Sequence, residues 1–240
     1  TRHRIMGIVS GEDFQIVYSD TPGILKPSYK LQESMMKFVT GALTDADVIL
    51  YVTDTVEQSE RSAEIVDSIR RSGIPTVVVI NKIDLSTPGA QVVPTSAKEN
   101  FNIEGLFRTI LSLLPEGPAF YPKDTLTDKT LRFFASEIIR EKILKFYDKE
   151  IPYCCEIEIE SYKEEPTIDR ISATIYVARD SQKGILIGHK GEKLKRVGQT
   201  AREDMEQFLG KKVFLQLFVK VSDDWRNNER QLRRFGYEQE

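Results

Sequence analysis

The chain has two cysteines and two histidines in 240 residues. That excludes a disulfide framework and argues against a zinc site built from protein ligands alone. Cys154 and Cys155 are adjacent in a strand-like run, where their side chains should point to opposite faces, and such unpaired thiols suit a reducing cytoplasm. No long hydrophobic run occurs. The apolar stretches "VILYV" and "TVVVI" are strand-sized, far below the roughly 18 to 20 residues that a membrane helix needs. The opening "TRHRIMG" has neither an apolar signal core nor an initiator Met, so secretion is not expected and Thr1 is not expected to be the biological start. What the chain does have is 40% hydrophobic residues, enough for a packed core in one large or two ordinary domains.

Charge is unevenly distributed. From Ser181 onward, 13 Lys/Arg face nine Asp/Glu, an excess of four positive charges, whereas the preceding residues carry 21 against 28. A basic segment on an acidic body is either a solvated surface or a docking site for an anion.

Strand-like and helix-like patterns alternate through the first half. "FQIVYSD" reads as a strand, "LQESMMKFVTGAL" has Leu31, Met35, Val39 and Leu43 at helical spacing, and "DVILYVTD" is a buried strand. A helix over "SERSAEIVDSIRR", the strand "TVVVI" and an amphipathic helix carrying Ile103, Phe107, Ile110 and Leu114 follow. This order implies a doubly wound α/β domain. Pro115, Gly117, Pro118 and Pro122 then block helix continuation and mark a linker over 116–130, which separates a domain at 1–115 from another at 131–240. The second half reads helix, strand, strand, helix, helix, strand, a small α+β module. In its "CEIEIE" run, Glu156, Glu158 and Glu160 alternate with apolar residues and are expected to form the wet face of a half-buried strand.

Three short motifs carry chemistry. "DTPG" (Asp20, Thr21, Pro22, Gly23) ends a strand and fits D-x-x-G, a pattern too common to decide anything alone. "NKID" ends the buried strand "TVVVI", at the carboxyl edge where doubly wound sheets bind ligands. The residue types suit guanine. A carboxylate at Asp84 can accept from the base N1–H and exocyclic amine, which adenine cannot offer, Asn81 can brace the loop, and the aliphatic stem of Lys82 can lie on the base plane. "SAK" (Ser96, Ala97, Lys98) follows the next strand, where a backbone N–H can donate to guanine O6. In the second domain, "GHKG" (Gly188, His189, Lys190, Gly191) joins two helices. Its glycines permit close backbone approach, and Lys183, Lys193 and Arg196 add positive charge around it.

In this order, "TRHR", "DTPG", "NKID" and "SAK" resemble the second to fifth guanine-nucleotide motifs of the translation-factor-like GTPases. "IGHKGEKLKRVG" resembles the G-x-x-G loop of a KH RNA-binding domain. The pairing of one GTPase domain with a C-terminal KH module, and the ending "FVKVSDDWRNNERQLRRFGY", resemble the bacterial Era GTPases, which are ribosome-assembly factors; the likeness spans nearly the whole chain. It implies a P-loop-type doubly wound GTPase domain, with its first strand and P-loop absent from this chain, followed by an α+β type II KH domain. It further implies GTP/GDP and Mg²⁺ as cofactors, and as partners the 3′ end of small-subunit ribosomal RNA and the small ribosomal subunit. A cytoplasmic monomer, with possible peripheral association with the inner membrane face, completes the expectation.

Within that resemblance Asp20 would hold Mg²⁺ through a water, the Gly23 amide would sense the γ-phosphate, and Thr1, by its place in the switch, would offer its hydroxyl to the metal. Two departures stand out. No G-x-x-x-x-G-K-[ST] occurs, and Asn81 and Ser96 are only 15 positions apart. Segments are therefore expected to be missing before Thr1 and between about Leu85 and Val92, with a break inside Ser86 to Ala90. The rival is an RNA-binding scaffold with a degenerate nucleotide site. The position after D-x-x-G is Ile24, where Ras-like enzymes place a Gln that orients water, so intrinsic hydrolysis should be slow. His3, two residues after the switch threonine, is expected to be a surface residue.

Overall fold

A computed structural model of the chain describes residues 2–54, 63–82 and 93–237. It divides into two compact units, Thr1–Ser28 with Gln32–Thr127, and Asp128–Glu240 with Tyr29–Leu31.

In the first unit, β1 (Ile5–Ser10) and β2 (Gln15–Asp20) form an antiparallel hairpin, with Ser10 opposite Gln15 and Ile5 opposite Asp20. The turn needs Gly11: a Cβ there would lie 2.2 Å from the Phe14 ring. β1 was not anticipated, because Gly7 interrupts its alternation. The segment after Leu114 lies along β1, with the Ile8 amide donating to the Leu126 carbonyl at 2.8 Å. Gln15 fastens it: its Oε1 accepts from the amides of Phe120 (2.8 Å) and Tyr121 (2.9 Å), and its Nε2 donates to the Tyr121 carbonyl (2.8 Å). His3 is half-buried, with its ring 6.0 Å from that of Phe38, which corrects its expected place on the surface.

β3 (Ile49–Asp54) and β4 (Thr76–Asn81) are parallel and in register from Ile49 and Thr76 to Asp54 and Asn81. β5 (Val93–Pro94) continues the sheet beside Val79 and Ile80. The helices are α1 (Lys30–Asp45), α2 (Ala63–Ser72) and α3 (Ile103–Leu113). In this unit α1 buries Phe38 and Val39 and half-buries Met35, a stripe at helical spacing. Among the described residues β1–β2 is not hydrogen-bonded to β3–β4–β5, which fits a doubly wound domain whose first strand is absent from this chain. One sheet would require a further strand joining them.

The second unit is an α+β module. α4 (Leu131–Phe146) and a short α5 (Ile151–Cys154) precede the antiparallel β6 (Glu156–Glu164) and β7 (Ile168–Val177). α6 (Asp180–Ile187) and α7 (Glu192–Leu209) then cross over to β8 (Lys212–Val221), parallel to β7. Ile139, Ile143, Ala173, Ile175, Val177, Leu186, Val197 and Ala201 are fully buried between helices and sheet. Two expectations change here. Pro152 lies in the first positions of α5, where its fixed φ suits a helix start, so Cys154 ends a helical turn rather than lying in a strand. Both cysteines are buried and neither is in a disulfide, and burial pushes the Cys154 thiol up to about 11.

The glutamate face of β6 is only partly wet. Glu156 is 2% exposed, its Oε1 accepting from Arg140 Nη2 and its Oε2 from the Tyr237 hydroxyl, both at 2.5 Å. Burial is the largest single influence on Arg140 and opposes its charge, but Glu156, Tyr237, Glu137 and Cys155 together outweigh it and hold the guanidinium pKa well above its usual value. Glu158 receives a two-pronged contact from Arg234, at 2.7 and 2.6 Å. The cover is the C-terminal tail, which includes α8 (Glu229–Arg234) and buries Trp225, Leu232 and Tyr237. Alternation correctly puts Glu160 on an exposed face and fails at Glu156, because a later segment folds over that end of the strand.

Candidate nucleotide and RNA sites

The guanine-side motifs converge on the carboxyl ends of β3, β4 and β5. Asn81 closes β4, and its Oδ1 accepts from the Ala97 amide at 3.0 Å, which joins "NKID" to "SAK". Ser96 is 2% exposed; its amide and carbonyl exchange hydrogen bonds with Phe101 at 3.2 and 2.9 Å, and its hydroxyl accepts from the Glu99 amide at 3.2 Å. The loop is thereby fixed, with Ala97 and Lys98 exposed at its tip. Lys82 has a left-handed backbone, φ 58°, and its Nζ lies 2.8 Å from Asp54 Oδ2. Sequence reading missed Asp54, although it is the last residue of its strand and therefore shares the carboxyl edge with Asn81.

Asp20, exposed, ends β2 in the other sheet, and Thr21 to Ile24 follow as irregular chain, with Pro22 buried and Gly23 exposed. The structure thus brings together Asn81, Lys82, Ser96, Ala97 and Lys98, and leaves the D-x-x-G segment on a separate sheet. Thr1, Asp84 and the expected break within Ser86 to Ala90 lie outside the described residues. Eleven residues, 82–92, join β4 to its parallel neighbour β5. Such a crossover usually takes a dozen or more and includes a helix.

In the second unit the Gly188–Gly191 loop sits between α6 and α7. Gly188 adopts φ 74°, ψ −178°, a region open essentially to glycine, and a Cβ there would lie 2.7 Å from the Lys193 side chain. Gly191 is left-handed and caps α7, whose 18 residues direct N-terminal amides at the loop. His189 and Lys190 are exposed, as are Lys193 and Arg196, with Lys183 half-buried. Arg196 lies 4.3 Å from the Phe146 ring centre, and Lys193 Nζ lies 5.8 Å from that of Tyr147. Tyr147 donates to the Leu186 carbonyl at 2.6 Å, and burial pushes its phenol up to about 12. This is a glycine-opened, cation-rimmed helix terminus, suited to a phosphate backbone. Phe146 and Tyr147, which seat two of the cations, were invisible as site residues because they read only as the end of a helix.

Comparison with known proteins defines the class first. The family described as "50S ribosome-binding GTPase" matches residues 1–82, and the KH domain family matches 150–226, so this is a GTPase domain with a C-terminal KH domain. GTPase Era of Alkaliphilus metalliredigens is 42% identical over 256 residues, which cover 99% of this chain and 87% of that protein. GTPase Era of Staphylococcus haemolyticus is 41% identical over 254 residues, covering 99% and 85%. The chain belongs to the Era GTPase family. Two solved structures agree. Era in complex with MgGDPNP and nucleotides 1506-1542 of 16S ribosomal RNA superposes with a TM-score of 0.95 at 37% identity, covering all of this chain and 87% of that one. A variant of Aquifex aeolicus Era bound to GDP.AlF4- gives 0.94 at 36%, covering 100% and 88%. The first alignment spans 256 residues against the 240 here, so that relative carries residues inside the aligned region that this chain lacks.

Proposed function

We propose that this protein is a GTP-binding and GTP-hydrolysing switch that grips the 3′ end of small-subunit ribosomal RNA and assists assembly of the small ribosomal subunit. The observation that carries the reading is the Gly188–Gly191 loop at the start of α7, flanked by Lys193 and Arg196 on their aromatic seats. The solved Era complex with a 16S ribosomal RNA fragment supports the choice of RNA.

We assign residues 1–115 to nucleotide chemistry, 116–130 to the connector and 131–240 to RNA. Asn81, Lys82, Asp84, Ser96, Ala97 and Lys98 hold the guanine. Thr1 and Asp20 to Gly23 serve the phosphates and the metal. Among the described residues no cluster of three or more His, Cys, Asp or Glu side chains could hold a metal ion. An ion beside Asp20 would therefore draw most ligands from water and phosphate oxygens, which suits Mg²⁺. When bound, it would offset phosphate charge. The aliphatic Ile24 cannot orient water, so hydrolysis depends on backbone positioning and is slow without a partner.

We place the protein in the cytoplasm, a reading supported by two cysteines outside any disulfide, and take it to act as a monomer. The excess positive charge from Ser181 onward supports peripheral contact with anionic headgroups of the membrane. Among the described residues no helix is long and apolar enough to cross a membrane. The deciding experiment measures GTP turnover by the protein expressed from its complete reading frame, with and without an RNA of the small-subunit 3′ end. Stimulation by that RNA and not by a scrambled one is expected; no RNA binding would overturn the reading.

A further inference from the structure

We propose that Asp54 is a positioning residue for guanine binding, acting through Lys82. This rests on the reading that Asn81 to Asp84 hold the base. Asp54 and Asn81 are paired at the ends of the parallel strands β3 and β4, which places the Asp54 carboxylate one strand across from the start of the base loop. Lys82 Nζ reaches back over that gap to Asp54 Oδ2, 2.8 Å away. The stem of four methylenes is thus stretched from β4 towards β3, across the carboxyl edge where a ligand of this sheet binds. The backbone of Lys82 contributes as well. A φ of 58° is unfavourable for a residue with a Cβ, and it is held here between the β4 ladder and the Asn81 bridge to Ala97.

An ion pair with side chains 56% and 22% exposed adds little to folding stability, so stability gives no account of this pair. Orientation does. A lysine with a free ammonium samples many rotamers, and each would have to be frozen when the stem packs on a base. Anchored at its tip by Asp54, Lys82 presents its methylenes already aligned, and the ordering cost is met before the nucleotide arrives. Asp54 itself touches no ligand in this proposal.

The test uses the protein expressed from its complete reading frame and a fluorescent mant-GDP probe, with dissociation rate and Kd as readouts. Asp54→Ala is expected to speed dissociation roughly fivefold, the upper range for coupling through an exposed ion pair. The same change in a Lys82→Met background, which keeps an aliphatic stem without the charge, should have no further effect. Asp54→Glu should restore most of the lost affinity, and thermal melting should barely move in any variant. Unchanged dissociation in Asp54→Ala, or an equal loss in both backgrounds, overturns the proposal. If Lys82→Met and Asp84→Asn weaken mant-GDP binding while Asp54→Ala does not, only the positioning role fails. If none of the three has any effect, the assignment of the base loop fails with it.

Discussion

The side-chain carbonyl of Asn81 accepts a hydrogen bond from the backbone amide of Ala97 at 3.0 Å, and this bond joins the two loops assigned to guanine. Its donor lies at an exposed tip, so removing the acceptor leaves no buried orphan and stability should fall by only about 1 kcal/mol. The loops would nevertheless lose their mutual alignment. Asn81→Ala is expected to weaken GTP binding about tenfold, equivalent to about 1.4 kcal/mol. Titration with a fluorescent GTP analogue, beside a thermal melt, separates the two effects; equal loss in both would make Asn81 a structural residue.

Base choice is a second outcome. Asp84 is assigned both guanine donors, and its replacement by Asn turns one acceptor into a donor, which matches the extra carbonyl of xanthine. Asp84→Asn should reduce GTP affinity severely and raise that for xanthosine triphosphate. A competition assay with both nucleotides measures the exchange, and an unaltered preference would dismiss the assignment.

A third outcome concerns the C-terminal tail. Tyr237 and Arg140 share the carboxylate of Glu156, which is almost wholly buried. Removing one donor costs the hydrogen bond to a charged group, whereas removing the cation leaves a buried charge uncompensated. Tyr237→Phe should destabilise the protein by about 1.5 to 3 kcal/mol, and Arg140→Met by about 3 to 5. Urea unfolding followed by Trp225 fluorescence reports both, since Trp225 is fully buried and bonded to the Cys154 carbonyl at 3.2 Å. The reverse order of the two losses would refute this account.

Glu156 also shows where sequence reading stops. Period-2 patterning identified β6 and β7 because one face of each meets a core, and 3.6-residue patterning identified α1 and α3 for the same reason. The second face of β6 is covered by residues some 80 positions later, a long-range fact that no local period encodes. Asn81, Ser96 and Ala97 were legible because a motif at a strand end carries its own spacing. Asp54 was not, because its partner Lys82 is set by the register of two strands rather than by sequence distance. The linker looked like a spacer from its prolines, yet Gln15 fastens it to the start of β2, and a lone glutamine gives no signal of that.

The last outcome concerns the RNA grip. Phosphate binding at Gly188–Gly191 requires a backbone clear of side chains and an excess of positive charge. His189 and Lys190 are exposed and are not buried in any core, so replacing both by Asp should repel the strand without unfolding the module. Affinity for single-stranded ribosomal RNA should fall steeply while GTP binding is retained. Each phosphate contact on a single strand contributes about 0.7 to the slope of log affinity against log salt, so losing one contact should make that slope shallower by about 0.7. The sign matters: a change that altered only base contacts would lower affinity at every salt concentration and leave the slope alone. Affinities of wild type and double variant across a salt series distinguish these cases, and unchanged affinity and slope would reduce the loop to a simple helix-helix turn. If RNA stimulates GTP hydrolysis in the wild type and not in the double variant, the KH loop is the element through which RNA reaches the nucleotide site.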